Sequence, residues 1–309
     1  MKVAAIIQAR QGSSRLPGKT LIDIVGKPAL QRVIERIWSA KLIDDVIVAT
    51  TINKEDNAIV ELCKSLGTNY FRGSEDDVLD RVLNAAKKFD VDVIVEITAD
   101  CPLIDYNHID KLIDWHLVND ADMTTNILER TFPRGYDIRI FDTKTLERVN
   151  EEVNNNVDRQ HVSTWMYLNP KGKQNYSIQN WTAPPEQNRS DIEITLDTPE
   201  DLELIRWIYG FEKQGYNIEL TCQNVINLID TYPMMYEKVK NIQRKDYFEE
   251  LNKSYKFIKK LENNILYGDG KEEVPKGIFK GSDIKNENVQ RTDNRSRQTS
   301  KRGRPPKQR

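Results

Sequence analysis

The sequence predicts an α/β fold with a mostly parallel sheet, and two observations carry that prediction. Short, apolar, β-branched runs at Val3–Ile7, Asp45–Thr50 and Val91–Ile97 alternate with helical patterns. Each strand-to-helix unit occupies about 30 to 45 residues, the size of a βαβ repeat. In order, the helices are Pro28–Ala40, opened by a proline in its first turn, then Glu55–Leu66, Asp76–Phe89 and Tyr106–Asn119. After Asp120 the pattern loosens. Tyr136–Phe141 alternates at period two, predicting a half-buried strand with one solvated or partner-facing side. Asp191–Asp197 alternates likewise. Thr198-Pro-Glu-Asp201 then opens a helix, with a threonine N-cap, a first-turn proline and acids at the positive helix end. Residues 221–264 have helical character, with a break at Tyr232-Pro233.

Composition narrows the function class. The chain has 309 residues and a net charge of −2, so no basic field covers the whole surface. That average hides a division: from Tyr267 onward there are 12 Lys/Arg against 6 Asp/Glu, leaving 34 against 42 in residues 1–266. The segment 267–309 has few large apolar residues and no periodicity, which predicts disorder. Cys63, Cys101 and Cys222 are widely spaced with no CxxC pair, which excludes a disulfide scaffold and a cysteine zinc site and suits a reducing cytoplasm. No run approaches the roughly 18 apolar residues of a membrane span, and the first apolar run is too short for a secretory signal.

In open α/β sheets, ligands sit beyond the carboxyl ends of the strands. The loop after the first strand, Gln8-Ala9-Arg10-Gln-Gly12-Ser-Ser-Arg15-Leu-Pro-Gly18-Lys19, offers backbone N–H groups and cations to a polyphosphate. It matches neither a P-loop nor a Rossmann fingerprint. A solvated turn is the alternative. Asp100 follows the third strand and Asp197 ends a later one, so two strand ends could deliver hard oxygen ligands to Mg²⁺. Alternatively, Asp100 is a turn acid and Asp197 a helix-capping one. Cys101 is expected to be a small buried filler, Asp201 a helix-start acid, and Asp80 with Arg81 a surface pair. His108 and His116 are expected as surface helix residues.

The stretch IIQARQGSSRLPGK resembles the N-terminal signature of cytidylyltransferases that activate sugars, the acylneuraminate and ketodeoxyoctonate enzymes, and most closely the spore-coat polysaccharide SpsF-type branch. The likeness continues, in family order, through Phe71–Arg81, Ile97–Asp105, Arg159–Val162 and Thr195–Leu202, covering about residues 1–210. It implies a three-layer, nucleotide-diphospho-sugar-transferase-like domain over residues 1–220, with an inserted dimerisation arm at about 130–180 and a homodimer. A helical extension would follow over 221–266.

The resemblance assigns Arg10, Arg15 and Lys19 to the triphosphate of CTP, with Gln8, Ala9, Gly12 and Gly18 around the nucleotide, and Asp100 and Asp197 to Mg²⁺. Fixed cations suit a reaction that builds charge on a leaving pyrophosphate. It places Arg72 and Ser74 at the pyrimidine, where an Asp76-capped helix start is the alternative, and His161 near the acceptor or in packing. Ala99 stands where the family usually has glycine, Glu193 where it has arginine, and Arg134 and Arg139 where acids are common. These arginines favour an acceptor carrying carboxylate or phosphate.

The expected activity is therefore transfer of CMP from CTP to a sugar acid or small phosphorylated acceptor, for surface polysaccharide or glycan precursors. A UTP- or GTP-using enzyme is the alternative within the fold. A non-catalytic nucleic-acid or partner-binding protein is the alternative outside it, because Lys301-Arg-Gly-Arg-Pro-Pro-Lys307 resembles an AT-hook, flanked by Arg291, Arg295, Arg297 and Arg309. A solvated basic tail is the alternative for the segment Lys301–Arg309, since one short motif readily matches by chance.

Overall fold

A computed structural model describes residues 1–169, 171–213, 218–242, 253 and 256. Most of 243–266 and the whole tail, including the AT-hook-like segment, lie outside the described residues.

The strands are β1 (Val3–Gln8), β2 (Asp45–Thr51), β3 (Asn69–Gly73), β4 (Val93–Thr98), β5 (Met123–Thr125), β6 (Arg139–Asp142) and β7 (Ile178–Asn180). They form one sheet in the order β3-β2-β1-β4-β6-β5-β7. Only β6 runs antiparallel to its neighbours, so the sheet is mostly parallel, as predicted. The long helices are α1 (Ala29–Trp38), α2 (Asn57–Leu66), α3 (Val78–Lys88), α4 (Tyr106–Val118), α5 (Thr143–Glu152), α8 (Pro199–Lys213), α9 (Cys222–Thr231) and α10 (Pro233–Lys240); α6 (Asn156–Gln160) and α7 (Thr164–Tyr167) are short.

The three layers follow from side-chain alternation along the buried strands. In β1, Val3, Ala5 and Ile7 join a core with α1, α2 and α4, while Ala4 and Ile6 join a second core with α3, α5 and α7. Burial on both faces explains the continuous apolar runs. A third cluster packs α8, α9 and α10 against Phe132, Tyr136, Ile192, Ile194 and Leu196. The Tyr232-Pro233 break falls where expected, with Pro233 opening α10.

Four expectations are corrected. The strand predicted at Tyr136–Phe141 begins only at Arg139 and has no open face: it lies between β4 and β5, with Ile140 in one core and Phe141 in the other. Residues 139–142 of the expected arm are therefore an inner strand of the sheet. Asp191–Asp197 is not a strand. It is an extended segment joined to Arg134 by a single bridge at Glu193, and its alternation reflects Ile192, Ile194 and Leu196 facing the third core.

His108 and His116 are buried, at 3% and 5% exposure. His108 packs among Phe132, Tyr136 and Trp181 and pairs with Gln187; His116 Nδ1 lies 3.0 Å from Thr124 Oγ1. Arg81 is buried too, at 2% exposure, so it forms no surface pair with Asp80.

A candidate nucleotidyl-transfer site of two clefts

The loop after β1 is held by its backbone. Gln11 N donates to Asp56 Oδ1 at 2.7 Å, and Thr20 Oγ1 donates to the Arg10 carbonyl at 2.7 Å. Gly18 adopts φ 70°, where a side chain would be strained, and so turns the chain into Lys19. The Lys19 ammonium then lies 3.0 Å from Asp100 Oδ2 and 2.8 Å from Asp197 Oδ1, and Arg15 Nη2 reaches the same Asp197 oxygen at 3.0 Å.

Asp100 and Asp197 are brought together by backbone contacts. Leu196 N donates to the Asp100 carbonyl at 2.8 Å. Asp201, at the start of α8, accepts from the Asp197 and Thr198 amides at 3.0 and 2.8 Å, while Thr198 Oγ1 accepts from the Asp201 amide. This reciprocal capping fixes the backbone that carries Asp197. Asp201 is thus the helix-start acid expected of it.

Charge on both sides of the contact is stabilised. Burial alone would raise the Asp100 pKa, but Lys19 and the Thr98 hydroxyl, 2.6 Å away, hold it below the usual carboxylate range. Burial would likewise lower that of Lys19, but the two carboxylates raise it overall.

Among the described residues no group of three or more acids, histidines or cysteines converges as a metal site. Two carboxylates directed at one cation position, beside a cationic loop, nevertheless fit Mg²⁺, which ordinarily takes one or two carboxylates and completes its shell with substrate phosphates and water. Cys101, 1% exposed with its thiol pKa pushed well up by burial, is the inert filler expected of it.

Two clefts meet at Asp100. The first, about 460 Å³, is lined by Gln8, Ala9, Arg10, Gly12, Arg15 and Lys19, and by Arg81 on α3. The second, about 260 Å³, is lined by Arg130, Arg134, Asp137, Arg139, Glu96 and Tyr167. Gln8, Thr98, Gln160 and His161 line both. His161 therefore stands on the seam, where burial, with Arg139 and Arg10 nearby, pushes its pKa down to about 4. Its imidazole is neutral at pH 7.

In the second cleft Arg130 holds Asp137 through two 2.9 Å bonds, and Arg134 lies 3.6 Å from Glu193. Gly135, at φ 117°, permits this approach: a Cβ there would lie 2.8 Å from Ile194 Cγ1. Glu96 is buried at 3% exposure and accepts from Gln8 Nε2 and Ser163 Oγ; burial raises its pKa against the opposing pull of Arg139.

Arg72 and Ser74 line neither cleft. The Arg72 guanidinium donates to the carbonyls of Thr51 and Asn53 and to Asn57 Oδ1, each at 2.8 Å, bracing the loop after β2. Ser74 Oγ accepts from the Asp76 and Asp77 amides. The N-cap of α3 is Asp77, which accepts from the Asp80 amide at 3.0 Å, one residue later than expected. Arg81, Glu96, Arg130 and Gln160 were missed by sequence reasoning. For Arg81 a signal exists: it falls three residues after Val78 and beside Val82, on the apolar face of α3.

Residues 4–272 match the cytidylyltransferase family. The chain belongs to that family. It is a CTP-dependent nucleotidyltransferase. Over 252 residues this cytidylyltransferase is 40% identical to an uncharacterized protein of Methanocaldococcus jannaschii, covering 81% of this chain and 99% of that one. It is 28% identical over 233 residues to the spore coat polysaccharide biosynthesis protein SpsF of Bacillus subtilis, covering 74% and 94%. The structure of a cytidylyltransferase from Leptospira borgpetersenii superposes with a TM-score of 0.70 at 31% identity, covering 79% of this chain and 99% of that one. Among the described residues, no helix is long and apolar enough to cross a membrane.

Proposed function

We propose that this cytidylyltransferase transfers CMP from CTP to a small anionic acceptor, a sugar acid or a phosphorylated small molecule, in the synthesis of surface polysaccharide or glycan precursors. One observation carries the reading: a cleft with a cationic loop and a cleft lined by three arginines open onto the same carboxylate, Asp100. The likeness to SpsF supports the polysaccharide assignment.

In this reading the first cleft takes the triphosphate against Arg10, Arg15 and Lys19, and the second takes the acceptor. The acceptor oxygen attacks the α-phosphorus in line, and a hydroxyl acceptor gives up its proton to solvent; the bond from that phosphorus to the bridging oxygen breaks, and pyrophosphate leaves. Asp100 and Asp197 would hold Mg²⁺, which supplies charge neutralisation at the phosphates when bound. The chain's own residues orient the reactants and counter the growing pyrophosphate charge, the chief demands of phosphoryl chemistry. Neutral His161 adds no cation to the seam.

The test is a pyrophosphate-release screen with Mg²⁺, crossing CTP, UTP and GTP with sugar acids, sugar phosphates and neutral sugars. Release with CTP and an anionic acceptor is expected. Release only with neutral sugars would overturn the acceptor class, and release with UTP or GTP in preference would overturn the nucleotide.

A further inference from the structure

Arg81 is an anomaly in the first cleft. Its guanidinium is almost wholly buried, yet its hydrogen bonding is incomplete. Nη1 donates to the Ser74 carbonyl, Nε is shut from solvent without a partner, and Nη2 has none among the described residues. Burial and the neighbouring Arg10 charge push its pKa down to about 10. An under-satisfied buried cation is costly, and it persists where a ligand completes its bonding. The backbone makes room for it: a Cβ on Gly73 would lie 2.9 Å from Arg81 Cγ.

Its surroundings select the ligand. The charges acting on Arg81 include those of Arg10, Asp56, Glu75 and Asp77. Arg81 and Glu75 line one cleft, and Arg81 Nη1 lies 3.5 Å from the Glu75 carbonyl. They suit a neutral group presenting hydrogen-bond acceptors to the guanidinium and a donor to a carboxylate. Glu75 is held by Arg10 at 3.2 Å and by Asn53 at 2.7 Å.

We propose that Arg81 and Glu75 select the base: Arg81 donates to O2 and N3 of cytosine, and Glu75 accepts from its N4 amino group. Uracil would set an N3–H against the guanidinium and an O4 against the carboxylate, two repulsive contacts in place of two bonds. This assignment rests on the reading that the first cleft takes CTP, and it moves base recognition from Arg72 and Ser74 to Arg81 and Glu75.

Calorimetric titration of wild type, Arg81→Met and Glu75→Gln with CTP, UTP and inorganic tripolyphosphate, each with Mg²⁺, tests it. Wild type should prefer CTP to UTP by about 100-fold or more, as expected when unmatched polar groups are left in a site. In Arg81→Met that ratio should fall below about tenfold, with tripolyphosphate affinity unchanged within about twofold. Glu75→Gln, at a more exposed position, should also lower the ratio, and decides the matter if Arg81→Met does not fold. An unchanged CTP/UTP ratio in the folded variants overturns the proposal. So does equal weakening of tripolyphosphate and CTP, which would make Arg81 a phosphate ligand or a structural brace. Equal wild-type affinity for CTP and UTP would instead overturn the CTP reading itself.

Discussion

Lys19 Nζ lies 2.8 Å from Asp197 Oδ1, joining the loop after β1 to the segment that leads into α8, 178 residues later. With Asp100 on its other side, the ammonium occupies the position that suits a divalent cation, so the lysine and the two acids form one electrostatic unit.

Removing the ammonium should therefore expose the repulsion between the acids. Lys19→Met is expected to lower the melting temperature in chelator, by an amount corresponding to about 1–2 kcal/mol, since the trio is only partly buried. Added Mg²⁺ should restore part of that loss in the variant and do less for wild type. Thermal melts with and without metal decide this, and a Lys19→Met melt insensitive to Mg²⁺ would dissociate the pair from metal binding.

Asp100→Asn should keep the fold, since the residue lies at the cleft junction rather than in the apolar core, and should cut kcat by about 100-fold or more. Circular dichroism and pyrophosphate release from the same preparation check both halves. Undiminished turnover would remove Asp100 from the reaction centre.

Acid stability should report on His161. Its folded pKa, about 4, lies below an unfolded value near 6.5, so between those limits the unfolded chain binds more protons and stability rises with pH. As pH falls from about 6.5 to 4, wild type should lose up to about 3 kcal/mol from this group alone. His161→Gln should flatten that limb in urea titrations at stepped pH. The Lys19 and Asp100 contacts behave differently. The lowered Asp100 pKa adds stability that is lost only as pH falls through the acid range below its unfolded value. The raised Lys19 pKa adds stability that is lost only as pH rises beyond the ordinary lysine range.

The two clefts should separate kinetically. Arg134→Ala is expected to raise KM for the acceptor about tenfold while changing KM for CTP less than about twofold, because its guanidinium lines the second cleft alone. Gly18→Ala should do the reverse: a side chain at φ 70° costs about 1 kcal/mol or more and displaces the loop that carries Lys19. Steady-state kinetics with each substrate varied in turn distinguishes the two patterns, and an Arg134→Ala effect on CTP alone would reassign the second cleft.

Long periodic elements were legible in the sequence because burial on both sheet faces leaves an unbroken apolar run, as in β1, β2 and β4. The three-residue strands β5 and β7 were not, since three residues carry no period. Alternation misled at Asp191–Asp197, where Ile192, Ile194 and Leu196 face a helical core and one bridge to Arg134 is the segment's sheet-like pairing among the described residues. The cationic loop and Asp100 were legible because charged and glycine residues abut the ends of β1 and β4. Arg72 and Arg81 show the limit. Both are arginines near one turn; helical spacing places Arg81 on the buried face of α3, but nothing in the sequence says that this face borders the cleft or that Arg72 braces a loop.

The alternation of the long strands and helices, the cationic loop after β1 and the placing of Asp100 just beyond β4 are properties of the sequence itself, since they follow from local periodicity and residue type. The tertiary structure alone decided that β6 enters the sheet antiparallel, that Arg81 and not Arg72 lines the first cleft, and that Lys19 lies between Asp100 and Asp197. Those relationships depend on backbone contacts between residues far apart in the chain, such as the Leu196 amide on the Asp100 carbonyl, and a long-range contact has no period for a sequence to display.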